Sequence, residues 1–206
     1  MRATIGPARG TARTATLTAM AVLAAWASAA PAAAQAPTPE TGEMTEVVRA
    51  VEALDAMRSR LARTFTEGGA AADRETFQAV CAPVGRRARR VADEQGWRLQ
   101  QLSEKFRNPA HRPDPEARSV LRRMEADSSL TAVWRRSRVE GRRGWRYFRR
   151  IVVESSCLAC HGAEEDRPEF VKRSYPRDRA HGFRSGDLRG VYSVFVAEDS
   201  TLRSKK

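Results

Sequence analysis

Cys157, Cys160 and His161 bring three reactive side chains together as Cys157-Leu158-Ala159-Cys160-His161. Two thiols one helical turn apart can add to the two vinyl groups of a single haem. The histidine that follows then lies beneath the ring and offers iron a neutral imidazole nitrogen. Gly162 lets the backbone turn away. The motif therefore predicts one covalent haem c, with Cys157 and Cys160 as thioether anchors and His161 as the proximal iron ligand. Three other chemistries use the same residue types. A Cys157–Cys160 disulfide leaves His161 without a role. A thioredoxin-like pair needs the motif early, at a strand-to-helix junction, whereas here only about 45 residues follow it. A zinc site needs a fourth ligand, and adjacent Cys160 and His161 are poorly placed to hold one metal together.

Haem c is attached outside the cytoplasm, and the first residues fit that compartment. Arg2, Arg9 and Arg13 form a positive start without acids, an alanine-rich apolar stretch follows from Ala15 to about Ala30, and Ala32-Ala33-Ala34 offers a cleavage site. Residues 1–34 are expected to be a secretory signal peptide, which makes the chain periplasmic or otherwise exported. The apolar run is weak for a membrane anchor, which needs roughly 20 apolar residues. No Arg-Arg pair precedes it, so the general secretory route fits better than the twin-arginine one.

Composition narrows the partners. The 206 residues carry 37 Lys+Arg against 25 Asp+Glu, a net charge of +12 that falls to +9 once the three leader arginines are removed. With 41% apolar and 30% charged residues, the chain is neither membrane-embedded nor disordered. Its charge suits a solvated surface, an acidic redox or signalling protein, or an anionic membrane surface. Nucleic acid is not expected as a partner, because the chain is exported and its arginines are dispersed without interleaved aromatics.

The elements that must position the motif follow from periodicity. Residues 35–42 read as a flexible leader, and residues 43–206 as one domain. Met44, Val47, Val48, Val51, Leu54, Leu61 and Phe65 make a helical stripe ended by Gly68-Gly69. Asp73 caps a second helix to about Glu94, with Phe77, Val80, Cys81, Val84, Ala88 and Val91 as its apolar face. Pro83 is expected to kink or split that helix, and Gly96 to stop it. A short strand signal at Trp97–Gln100 and a loop from Arg107 to Pro115 come next. Glu116 to about Asp127 reads as a helix, residues 131–153 as β-structure, and 162–187 as loop. A strand from Leu188 to Val196 has Val191, Ser193 and Phe195 on one face and Tyr192, Val194 and Val196 on the other. Helices first and a mostly antiparallel sheet after them make an α+β fold.

A second axial iron ligand must come from elsewhere. Cys81, His111, His181, Met44, Met57 and Met124 all remain open on composition, and Cys81 also reads simply as a buried free thiol. The sequence resembles a family of extracytoplasmic c-type haem proteins with a PAS-like fold. Phe77-Gln78-Ala79-Val80-Cys81 carries part of the likeness, and the run from Ser103 to Asp114 a second part. The third part pairs Cys157–Gly162 with the runs Tyr175–Phe183 and Gly186–Val191. The resemblance spans nearly all of the mature chain. It implies a PAS-like antiparallel sheet with long N-terminal helices and one haem, coordinated by His161 on one side and Cys81 on the other. His111 stands where asparagine is more usual, which leaves a rival ligand. Arg107 and Arg189 would then hold the thiolate ionised or pair with the haem propionates, unless they are ordinary surface charge. The function implied is a redox or small-gas (CO, NO) sensor that is not an enzyme. No output domain or membrane helix is read after the motif, so the signal is expected to pass through a partner. A small electron-transfer cytochrome is the second expectation, and a peroxidase-like enzyme a distant third.

Overall fold

A computed structural model describes residues 41–68 and 72–198. The expected signal peptide lies outside them, as does the expected leader except for its last two residues, 41 and 42, which are already helical.

Helix α1 (Thr41–Glu67) forms where the stripe predicts it, burying Val47, Val51, Leu54 and Ala62. Helix α2 (Arg74–Gln95) starts at Asp73, whose carboxylate accepts from Thr76 N at 2.8 Å. It stops at Gly96, whose φ of 67° is the left-handed conformation that glycine adopts without strain. Pro83 does not split it. Packing on both sides of the proline outweighs the roughly 3 kcal/mol penalty. Phe77 meets the Phe170 ring on one side, and Val84, Ala88 and Val91 are buried on the other. Cys81 is not among the buried residues of this helix; it is exposed, which rules out the core-thiol reading.

Strand β1 (Arg98–Leu102) leads through a 3-10 turn (Pro109–His111) to helix α3 (Pro115–Ala126). Asp114 caps α3 by accepting from Ala117 N, and the Arg150 guanidinium closes its far end by donating to the carbonyls of Met124, Asp127 and Leu130. The expected β-region of 131–153 is a hairpin, β2 (Ala132–Val139) and β3 (Arg142–Val152). Glu140 and Gly141 join them with φ of 49° and 81°, a left-handed turn that matches strand twist. After β3 come a 3-10 turn (Ser155–Cys157), the single-turn helix α4 (Leu158–His161), helix α5 (Glu169–Ser174) inside the expected loop, and strand β4 (Leu188–Ala197).

The four strands form one antiparallel sheet in the order β1-β4-β3-β2. Tyr192, Val194 and Val196 face a core completed by Val47, Val51, Leu54, Ala88 and Val91 of α1 and α2. Val191 and Phe148 face a second core with Ala117, Val120, Leu121 and Met124 of α3. The fold is α+β: two long N-terminal helices cover one face of the sheet and a short one the other. A register shift between Ile151 and Val152 disturbs the ladder just before the cysteine pair, as bulges commonly do beside functional sites. No helix among the described residues is long and apolar enough to cross a membrane.

Candidate haem site

Four segments meet at one end of the sheet: the chain leaving β1, the chain leaving β3, the chain entering β4, and the facing parts of α1 and α2. Cys157 ends the 3-10 turn after β3, and Cys160 and His161 lie in α4. The two thiols are not joined in a disulfide. α4 is clasped to the loop before β4 by backbone bonds from Phe183 N to His161 O at 3.1 Å and from Gly182 N to Gly162 O at 2.5 Å.

The imidazole of His161 is held in one tautomer. Its Nδ1 donates to the carbonyl of Ala180 at 2.6 Å, which leaves the Nε2 lone pair free for a metal. Burial, followed by the nearby Arg189 and Arg107 charges, pushes His161 well below its ordinary value, so the ring is neutral at pH 7. Phe183 meets the ring edge-on with centroids 6.2 Å apart.

Behind His161 runs a closed brace. The Asp178 carboxylate, 0% exposed, accepts from Ala180 N at 2.9 Å, and Ala180 O accepts the hydrogen bond from His161 Nδ1–H. Arg107 Nε lies 3.3 Å from Asp178 Oδ1, and its Nη2 donates to Cys160 O at 2.7 Å. Arg167 adds a second ion pair to Asp178 at 3.4 Å. Arg107 Nη2 also passes 3.5 Å from His161 Nδ1, but that nitrogen is already a donor, so the contact holds no hydrogen bond.

Arg189, at the start of β4, donates from Nη1 to Ser103 Oγ at 3.0 Å and Lys105 O at 3.1 Å. Burial and the neighbouring Arg107 lower its affinity for the proton to about 10, and the Cys157 and Cys81 sulfurs lie within its electrostatic reach. On α1, Arg58 was not expected from sequence. Its Nη1 lies 3.6 Å from Cys157 Sγ, its Nε donates to Asp55 at 2.9 Å, and its Nη2 to Glu154 at 3.1 Å. Burial opposes its charge, yet Asp55 more than offsets that and raises the guanidinium above its ordinary value. A single arginine in a helical stripe carries no spacing signature; the only hint is its place beside Asp55, on the buried side of α1.

Cys81 stands in the same neighbourhood. Burial and then the nearby Cys160 push its thiol up to about 11, while Arg107 and Arg58 pull it down. The residue is exposed to solvent, yet the protein around it still desolvates the thiol. The rival ligands are placed differently. Met124 is fully buried against the sheet in the α3 core. Met44 and Met57 are half-buried on α1. His181 faces Glu164 at 3.8 Å. His111 is near enough to Arg189 to be lowered by it, after burial. Among the described residues no three His, Cys, Asp or Glu side chains converge as a metal cage. A hollow lined by Trp97, Arg98, Val139, Arg142 and Phe195 lies at the opposite end of the sheet and holds none of these groups.

The donor set fits a haem, since a porphyrin supplies four of the iron ligands itself. Two unbridged thiols are one helical turn apart, a neutral imidazole presents Nε2, a further thiol stands nearby, and Arg58, Arg107 and Arg189 provide positive charge.

None of the curated proteins matches this chain. Among solved structures it is similar to the cyanobacterial haem protein Tll0287, with a TM-score of 0.68 and 45% identity over 76% of this chain and 96% of that one. The Tll0287-like family model matches residues 34–197, from the expected signal cleavage point to the end of β4, and the chain belongs to that family.

Proposed function

We propose that this chain binds one haem, attached through Cys157 and Cys160 and ligated by His161 Nε2 and Cys81 Sγ. We further propose that it acts outside the cytoplasm as a redox or small-gas sensor, signalling through a partner and without catalytic turnover. The observation that carries this reading is the 2.6 Å bond from His161 Nδ1 to Ala180 O beside two unbridged cysteines. It fixes the tautomer whose Nε2 lone pair is left free for a metal. The relative's description as a haem protein supports the cofactor.

A bound haem would supply a redox-active iron with exchangeable axial positions. The chain's own residues decide how such an iron is held. The Asp178–Arg107 brace and the Ala180 carbonyl orient His161 and strengthen it as a donor. Arg189 and Arg58 offer positive charge to carboxylates, with both guanidiniums anchored on one side by protein acceptors. Cys81 keeps its proton up to about 11 unless a cation stands against the sulfur. A fall in positive charge there would favour the protonated thiol, a poor ligand, and a bound haem would then supply an iron open to CO or NO. Release of this kind would favour sensing over steady electron transfer.

The test is the absorption spectrum of the exported protein in both oxidation states, for the parent and for Cys81→Ala. Thioether-linked haem with a ferric spectrum altered by the substitution is expected. An unchanged ferric spectrum removes Cys81 from the ligand set. Fast reversible reduction with Cys81 retained in both states identifies an electron carrier instead.

A further inference from the structure

Helix α2 carries Arg86, Arg87, Arg89 and Arg90 within five positions, and all four are exposed. They lie opposite Val84, Ala88 and Val91, the buried line of the same helix. None of the four pairs with a carboxylate among the described residues. Like charges three and four residues apart, as at Arg86–Arg89, Arg86–Arg90 and Arg87–Arg90, destabilise a helix. The helix therefore carries a compact cationic belt whose internal repulsion is offset only at its far end, by Asp93 and Glu94.

The belt is bounded. One turn further on, Asp93 and Glu94 are exposed on the same side of α2, four residues from Arg89 and Arg90. Glu75 lies on that side near the other end. Acid–base–acid order along one face tells the partners apart. A uniformly anionic membrane would repel both ends, and the helix has no apolar side left to insert because that side is spent on the core. A protein surface can match such a pattern patch by patch, and charge matching of this kind sets specificity and speeds encounter. We propose that the outer face of α2 at Arg86, Arg87, Arg89 and Arg90 is the docking surface for an acidic patch on a protein partner. The belt lies about 8 to 14 Å along the helix axis from Cys81, so a docked partner sits on the helix that bears that thiol. The docking claim rests on the charge pattern of α2 and stands whether or not Cys81 ligates a haem.

The experiment uses the exported protein and two probes, a glutamate decamer as the acidic protein patch and phosphatidylglycerol–phosphatidylcholine vesicles as the membrane. The parent is expected to bind the decamer in a salt-dependent way. Replacing all four arginines with glutamine is expected to weaken that binding by about tenfold or more, as the sum of four exposed charge contacts. A matched control, Arg122→Gln with Arg123→Gln, Arg138→Gln and Arg143→Gln, has the same net charge and is expected to bind like the parent. The pairs Arg86→Gln/Arg90→Gln and Arg87→Gln/Arg89→Gln should each give part of the loss, which keeps the test valid if the fourfold variant folds poorly. Equal losses in belt and control variants overturn the proposal, since net charge then explains the binding. Vesicle binding that depends on the belt, with no decamer binding, overturns it in favour of a membrane. An unchanged absorption spectrum in the belt variants separates this result from the haem reading.

Discussion

The Asp178 carboxylate is fully enclosed and faces the Arg107 and Arg167 guanidiniums, which are 11% and 14% exposed. A buried cation whose partner is removed keeps its desolvation cost and loses its compensation. Asp178→Asn preserves size and can still accept from Ala180 N, so it isolates the charge. It is expected to destabilise the protein by on the order of 3 kcal/mol, read as a lower urea midpoint. The same substitution loosens the Ala180 carbonyl that holds His161, so the spectrum of a haem-loaded sample should shift as well. A variant as stable as the parent would mean that Arg167 and Arg107 are solvated and that the brace is incidental. Asp178→Ala should be worse than Asp178→Asn, because it also strips the acceptor from Ala180 N.

At the scale of elements, the site depends on how closely β1 and β4 approach. A Cβ at Gly190 would stand 2.4 Å from the Leu102 carbonyl oxygen and 3.1 Å from Ser103 Cβ. Neither is the free end of a flexible side chain, so Gly190→Ala must push the strands apart. That motion also breaks the contact of Ser103 Oγ with the Arg189 carbonyl, now 2.7 Å. A loss of about 3 kcal/mol is expected from overpacking against backbone, measurable as a lower melting temperature; Gly42→Ala, with nothing near it, serves as the control. A melting temperature unchanged by Gly190→Ala would show that the edge strand has slack. Helices α1, α2 and α3, the caps of α2 at Asp73 and Gly96, and β4 could be read from the sequence because each rests on local chemistry or simple periodicity. Pro83 does not split α2, because its local penalty is set against packing that only the folded chain reveals. Cys81 was read onto the apolar face because its spacing fits that stripe, yet α2 buries only Val84, Ala88 and Val91. The cysteine–histidine motif was legible as chemistry. The Asp178 brace and Arg58 were not, since each joins positions that are distant in the chain and meet only when the end of the sheet is assembled.

The whole molecule is strongly basic, and that shapes its response to acid. With 37 basic and 25 acidic side chains, every carboxylate protonated on acidification raises an already positive net charge and strengthens self-repulsion. A second contribution comes from His161 and His111, both held below the ordinary histidine value of 6.5 by burial and then by nearby arginine charge. The sign follows from proton uptake. The unfolded chain takes up protons at these positions near pH 6.5, while the folded chain resists until lower pH. Stability is therefore intact above about 6.5 and falls as pH drops toward the folded values. For a haem-free variant such as Cys157→Ser/Cys160→Ser, the urea midpoint is expected to fall steadily from pH 7 to pH 5. Added salt should restore the part due to net repulsion, because exposed charges are screened. It should restore little of the part due to His161, whose charging is opposed first by burial. His161→Gln, which cannot take up a proton, should flatten the salt-resistant part of the slope. If it leaves that slope unchanged, the neutral state of His161 contributes nothing to stability, and acid sensitivity belongs to net charge alone.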